Sequence, residues 1–202
     1  MTDEIVEDEP FAPFARWFDL AAQSEPLAET MMLATATPGG LPSLRAVLLK
    51  GADTSGFVFY TNLESRKAED LFASPHAALC FHWKSMARQV RIEGTAALVS
   101  AEEADAYFAT RPRDSQIGAW TSDQSRPLES REALERRFLM FTLQYADEPV
   151  VARPANWSGF RVRPERIEFW QERPFRLHDR VVFVREGPLS EGKAWRKERL
   201  FP

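Results

Sequence analysis

Four cationic side chains, Arg45, Lys50, Arg66 and Lys67, fall within the stretch RAVLLKGADTSGFVFYTNLESRK, and the chemistry they suit is the holding of an anion. Arg66 and Lys67 open a helix expected from Ser65 through Phe72, at the end where the helix dipole favours acids. An anion seated there reverses the penalty, because backbone N–H groups and side-chain cations then converge on the same oxygens. Two solvated bases on a surface turn are the alternative reading of this stretch alone. A second pair, Tyr107 and Arg111, is spaced i and i+4 on a predicted helix and so shares one face. A dianionic phosphate held by three or four charge-assisted bonds of about 1.5–3 kcal/mol each approaches the roughly 8 kcal/mol of micromolar binding.

Positioning these groups falls to short strands. Arg45 to Lys50 is an apolar, branched run and Gly56 to Thr61 a second, with Gly51, Asp53, Ser55 and Gly56 between them, which predicts a β-hairpin. Arg45 and Lys50 lie five positions apart, hence on opposite sides of a regular strand. Residues 1–10 are acidic and are expected to form a solvated, disordered arm; residues 11–202 are expected to form a single domain. Phe11, Phe14, Trp17, Phe18 and Ala21 predict an amphipathic helix to about Ala22. Strands are expected at Met31 to Thr37, Ala77 to Trp83 and Arg88 to Val99, the last with Gln89 and Arg91 on one face. Ser100 with Glu103 caps a helix ending at Arg111-Pro112, Asp114 or Ser115 a short one through Trp120, and Ser130 a longer one through about Tyr145. After an extended linker at Pro149 to Pro154 come four short strands, at Gly159 to Val162, Ile167 to Gln171, Arg180 to Arg185 and Trp195 to Leu200. Roughly nine strands with short connections and outer helices make an α+β barrel.

Bulk composition excludes several functions. With 202 residues and 44% apolar content the chain buries an ordinary core, and a net charge of −4 argues against nucleic acid as partner. No apolar run is long enough to span a bilayer, and the single cysteine, Cys80, reads as a buried thiol in a reducing cytoplasm. Cys80 and His82 share a strand face, but no second pair at ligand spacing exists, so no metal site is assigned. Ser115 and Ser125 lack a nucleophile setting, and no glycine fingerprint for a dinucleotide follows a strand. Trp120 and Trp157 read as core or interface aromatics.

Taken together and in order, RAVLLK, FYTN, SRK, RQVR, YFATRPRDSQIGAW, QS, EFWQ, RLHDR and the closing RLFP resemble the pyridoxamine/pyridoxine 5′-phosphate oxidases. The resemblance covers about Phe11 to Pro202. It implies an α+β fold, a mostly antiparallel split β-barrel with peripheral helices, FMN-binding and homodimeric, with flavin at the subunit interface. It implies oxidation of pyridoxine and pyridoxamine 5′-phosphates to pyridoxal 5′-phosphate with O2, releasing H2O2, and NH3 from the amine, in vitamin B6 synthesis. Carried over by motif, the FMN contacts fall on Arg45, Ala46, Val47, Leu48, Leu49, Lys50, Tyr60, Thr61, Arg66, Lys67, Gln89, Gln124, Ser125, Trp170 and Arg180. Substrate contacts fall on Lys50, Tyr107, Arg111, Ser115, Arg176, Leu177 and His178, and Arg176 and His178 take the catalytic positions against the pyridine ring.

Two features depart from the family pattern. The chain begins acidic where many members begin basic, and Ser158 stands in NWSGF where a second glycine is usual, a change expected to be tolerated. The rivals are an FMN oxidase of phenazine-type tricyclic intermediates, which needs no substrate-phosphate site, and a non-catalytic FMN or pyridoxal-phosphate carrier on the same barrel.

Overall fold

The computed structural model describes residues 4–186 and 195–202. Nine strands form one curled sheet: β1 (Thr30–Ala36), β2 (Pro42–Leu48), β3 (Gly51–Asp53), β4 (Gly56–Asn62), β5 (His76–Trp83), β6 (Arg88–Leu98), β7 (Trp157–Gln171), β8 (Asp179–Arg185) and β9 (Trp195–Arg199). The order is β2-β1-β5-β6-β7-β4-β3, with β8 beside β7 and β9 beside β8, and every pairing is antiparallel. Among the described residues five α-helices surround it: α1 (Phe11–Ala22), α2 (Arg66–Ala73), α3 (Ala101–Thr110), α4 (Arg113–Thr121) and α5 (Arg131–Gln144). The concave face encloses the core, where Phe57, Phe59, Phe81, Leu33, Ile92 and Phe183 are buried and α1 inserts Phe14 and Trp17.

The split arises in β7. Its first half pairs with β4 through Val162 and its second with β8 from Arg166, while β6 follows nearly its whole length. Two separate strands, Gly159 to Val162 and Ile167 to Gln171, are expected here, yet the chain runs on as one. Pro164 sits at the gap between the two partners, and a register shift at Glu93/Gly94 absorbs the extra residue. Only glycine fits at 94, since a Cβ there would lie 2.0 Å from the Arg163 carbonyl oxygen.

Other expectations need correction. The run from Arg45 does not form a hairpin with Gly56 to Thr61: β2 pairs with β1 through the Pro38 to Gly40 turn, and the short β3 is the hairpin partner of β4. Alternation specifies which face a strand buries, not which neighbour it takes. Helix α4 begins earlier than Asp114 or Ser115 would cap it, with Pro112 at the N-cap. Cys80 is half-buried on the convex face rather than buried. The acidic arm is docked over residues 4–10: Ile5 is 5% exposed within the core, Glu4 pairs with Arg199, Glu7 with Arg16, and the Glu9 carboxylate accepts from the N–H groups of Phe11 and Ala12. Residues 1–3 lie outside the described residues. Ser158 is accommodated within β7, buried opposite Thr61 with the ladder intact.

Candidate active site

A cleft of about 650 Å³ opens where β2 and β4 meet α3 and α4. Lys67, in the first turn of α2, is buried in its wall and donates to Thr61 Oγ1 at 3.0 Å, Ser65 Oγ at 3.0 Å and Gln124 Oε1 at 2.7 Å. All three partners are neutral. Burial, with Arg45 adding repulsion, pulls the ammonium down to about 8, the signature of a buried cation lacking a counter-charge. Arg45 approaches from the concave side of β2, donating to Leu33 O at 3.1 Å, Thr35 Oγ1 at 2.8 Å and Ser43 Oγ at 2.7 Å, and lying 3.8 Å from Asp70. Burial lowers its pKa, Arg66 lowers it further, and Asp70 opposes them. The Ser65 side chain makes no cap at the start of α2, so the first-turn N–H groups keep no side-chain acceptor from it.

A second cation lies on the opposite wall. Arg111 leaves α3 in extended geometry, its guanidinium carbon 4.8 Å from the centroid of the Trp157 ring and 5.5 Å from that of Phe108. Its Nη1 is buried without a hydrogen-bond partner among the described residues, a deficit of about 1–3 kcal/mol that an anion would remove. Burial also lowers its pKa. Beside it the Tyr60 and Tyr107 rings stack with centroids 4.0 Å apart, and Tyr60 lies nearly parallel to Trp157 at 5.3 Å. Burial, reinforced by Glu103 and Tyr107, pushes the Tyr60 phenol up to about 12, so it stays a donor at neutral pH. The close approach of Tyr60 needs Gly159, where a Cβ would lie 2.8 Å from the ring.

The loop after α4 closes the lower edge. Asn62 Nδ2 donates to Ser122 O at 3.2 Å, and Arg126 donates to Glu64 O at 3.1 Å, placing Gln124 on Lys67 while Ser125 adopts φ 72°.

A separate patch forms at the far edge of the sheet. Gln89, Trp170 and Arg180 stand in one register row across β6, β7 and β8. The ring of His178 lies 4.7 Å from that of Trp170, and its Nδ1 accepts from the Arg173 N–H at 3.2 Å, so the neutral ring carries its proton on Nε2. Phe175 and Arg176 both have φ 61°, which turns Arg176 and Leu177 outward into solvent. Arg180 Nε donates to Glu168 at 2.8 Å, and Glu168, 2% exposed, also receives Arg91 and Arg166. Burial alone would raise this carboxyl, but the bonds from Arg180 and Arg91 outweigh it and hold the group below the usual range.

Comparison with known proteins gives the family of the chain. The profile described as pyridoxamine 5′-phosphate oxidase matches residues 21–145, and that of the pyridoxine 5′-phosphate oxidase C-terminal dimerisation region matches residues 157–202. The chain belongs to the pyridoxamine 5′-phosphate oxidase family. A pyridoxine/pyridoxamine 5′-phosphate oxidase of Rhodospirillum rubrum is 60% identical, over 98% of each chain. One of Gluconobacter oxydans is 58% identical, over 96% of this chain and 94% of the other. Among solved structures, PhzG of Burkholderia lata 383, in complex with tetrahydrophenazine-1-carboxylic acid, superposes with TM-score 0.90 at 27% identity, over 99% of this chain and 96% of the other. A pyridoxamine 5′-phosphate oxidase-related, FMN binding protein of Nostoc punctiforme shares the fold, with TM-score 0.76 at 19% identity, over 98% of this chain and 100% of the other.

Of the residues expected from the oxidase family, one protomer brings Ala46, Val47, Leu48, Lys50, Tyr60, Thr61, Lys67, Tyr107, Arg111, Ser115 and Gln124 to the cleft. Arg45 lies beside Asp70, Leu49 is buried in the core, and Arg66 and Ser125 are exposed; none of these four lines the cleft. Trp170, Arg176 and His178 line a different pocket of about 420 Å³, with no lining residue common to the cleft. Asn62, Ser122 and Trp157 line the cleft without having been read as site residues. Asn62 follows Thr61 in FYTN, a signal that was present; Trp157 offered none beyond being aromatic.

Proposed function

We propose that this protein is an FMN-dependent oxidase that converts pyridoxine and pyridoxamine 5′-phosphates to pyridoxal 5′-phosphate, with O2 as acceptor. The observation that carries the reading is one cleft holding two half-buried or buried cations, Lys67 with neutral partners only and Arg111 with an orphaned Nη1. Two separate phosphoesters answer that arrangement. FMN fits the first seat: Lys67, Arg66, Arg45 and the start of α2 would hold its phosphate, and Thr61 and Gln124 lie beside them. The chemistry FMN supplies when bound is acceptance of two electrons from the substrate carbon and their delivery to oxygen. Arg111, with Lys50, Tyr107 and Ser115, binds the substrate phosphate, which fixes the pyridine ring by its distal group.

The remaining residues come from a second subunit. Ala46 and Leu48 on β2, Met32 on β1, Arg91 on β6 and Trp170 on β7 share the convex face of one sheet, so the cleft borders that face at one end and the Trp170, Arg176 and His178 patch at the other. A twofold partner laid on the same face brings each cleft against the other subunit's patch. Arg176 then covers the substrate ring, and His178 presents Nε2–H to the ring substituents. The family's C-terminal dimerisation region, matched at residues 157–202, supports this assembly, and the lone Cys80 suits a reducing cytoplasm.

The second reading is oxidation of a tricyclic substrate, favoured by the superposition with PhzG. Anaerobic titration of the flavin-loaded protein with pyridoxine 5′-phosphate separates the possibilities. Bleaching of the flavin absorbance, followed by peroxide on admitting air, supports the oxidase, and an unbleached flavin sinks it in favour of a carrier. Equal use of dephosphorylated pyridoxine would remove the substrate-phosphate seat and favour the tricyclic reading.

A further inference from the structure

Trp157 opens β7 opposite Asn62, and it is 7% exposed in a small cluster with Phe108, Ile117 and Val151. A purely structural aromatic would satisfy that description. Three observations go beyond it. The Trp157 ring lies under the Arg111 guanidinium at 4.8 Å, Phe108 approaches the same guanidinium at 5.5 Å, and the two rings meet edge to face at 5.0 Å. Among the described residues Arg111 makes no ion pair and its Nη1 has no acceptor, so aromatic surfaces rather than carboxylates hold this cation. Trp157 itself lines the cleft.

From this geometry we infer that Trp157 is a positioning residue, which acts through Arg111 to fix the seat of the substrate phosphate. The inference rests on the phosphate role proposed above for Arg111. A carboxylate in its place would hold the guanidinium as well, but it would cancel the charge that a phosphoester needs. An aromatic face attracts the cation without neutralising it and without occupying its N–H donors. Nη1 is thereby kept free for the ligand. The edge-to-face contact with Phe108 keeps the indole plane from turning away.

The test uses the flavin-loaded protein with pyridoxine 5′-phosphate and with dephosphorylated pyridoxine as substrates. Trp157→Leu is expected to raise KM for the phosphorylated substrate about tenfold with kcat changed less than about twofold, while kcat/KM for dephosphorylated pyridoxine moves far less. Trp157→Phe, which keeps a weaker π face, is expected to raise KM about threefold. Equal losses on both substrates, or an unchanged KM in Trp157→Leu, would overturn the inference in favour of a packing role. Should Trp157→Leu fail to retain flavin, Trp157→Phe decides by the same split. Arg111→Gln provides the control. If it too leaves KM for the phosphorylated substrate unchanged, the phosphate seat itself is misplaced; if it raises KM while both Trp157 variants do not, only the positioning role fails.

Discussion

In the reading proposed above, Lys67 is the residue whose protonation links folding to flavin binding. Its ordinary value of 10.5 is lowered to about 8 in the folded chain, so between those values the unfolded chain holds a proton that the folded chain has released. Stability of the flavin-free protein should therefore rise with pH across that window, by at most about 3 kcal/mol for this group. Lys67→Met should abolish that slope and, by removing an uncompensated buried charge, stabilise the flavin-free protein at pH 7. The same variant should weaken FMN binding about 10- to 100-fold, the worth of a charge-assisted bond. Urea unfolding at pH 7 and pH 10, with a flavin titration of both proteins, checks the pair; a variant less stable and no poorer at holding FMN would contradict it. Arg176 makes the opposite kind of prediction. Its side chain is exposed on a left-handed turn, remote from Lys67 within one protomer, so Arg176→Ala should slow anaerobic flavin reduction far more than it weakens FMN binding, and equal loss of both would dismiss the ring-covering role.

At the scale of elements, the seam between β6 and β7 is the least forgiving part of the sheet. A Cβ at residue 94 would meet the Arg163 carbonyl oxygen at 2.0 Å and the Pro164 Cα at 2.9 Å, both backbone atoms that cannot step aside. Gly94→Ala should cost about 2–4 kcal/mol, read as a lowered urea midpoint, and a near-neutral effect would show that the bulge relaxes. This seam also marks where sequence reading stops. Phe14 and Trp17 announced the buried face of α1, and Ser100 and Ser130 announced their helices, each Oγ accepting the N–H three residues on. These are local signals, set by periodicity and by a side chain reaching its own backbone. β7 reads as two strands because nothing nearby in sequence reveals that β4 and β8 share it around Pro164. Likewise Ile5, beside Val6 in a run of acids, gave no periodic signal, and it is buried in the same core cluster as Trp17 and Phe169 from elsewhere in the chain. The motifs gave the residues of both proposed phosphate seats by type, but the aromatic bed under Arg111 is formed only when β7 returns to α3.

At the scale of the whole molecule, the convex sheet face leaves Met32, Leu44 and Leu48 exposed at 38%, 63% and 39% in one protomer. Adjacent large apolar side chains in open solvent on a sheet face mark a surface that another chain covers. Residues in the same face, Arg91 and Arg180, converge on the buried Glu168, so the charged half of the face keeps a net positive charge beside its apolar half. Leu44 lies on this face, opposite Ala34 and away from the lining of the cleft. Leu44→Glu should place a charge in the dimer interface while leaving each protomer's core untouched. Sedimentation should then show monomers at micromolar concentration, with the circular dichroism of the parent. Because the flavin site is completed only by the partner's Trp170 region in the assembly proposed above, flavin should be released at the same concentration at which dimers dissociate, and dilution of the parent protein should show the two transitions together. A Leu44→Glu monomer that keeps FMN with parental affinity would mean that one protomer holds the flavin alone, and the twofold assignment of Trp170, Arg176 and His178 would fall with it.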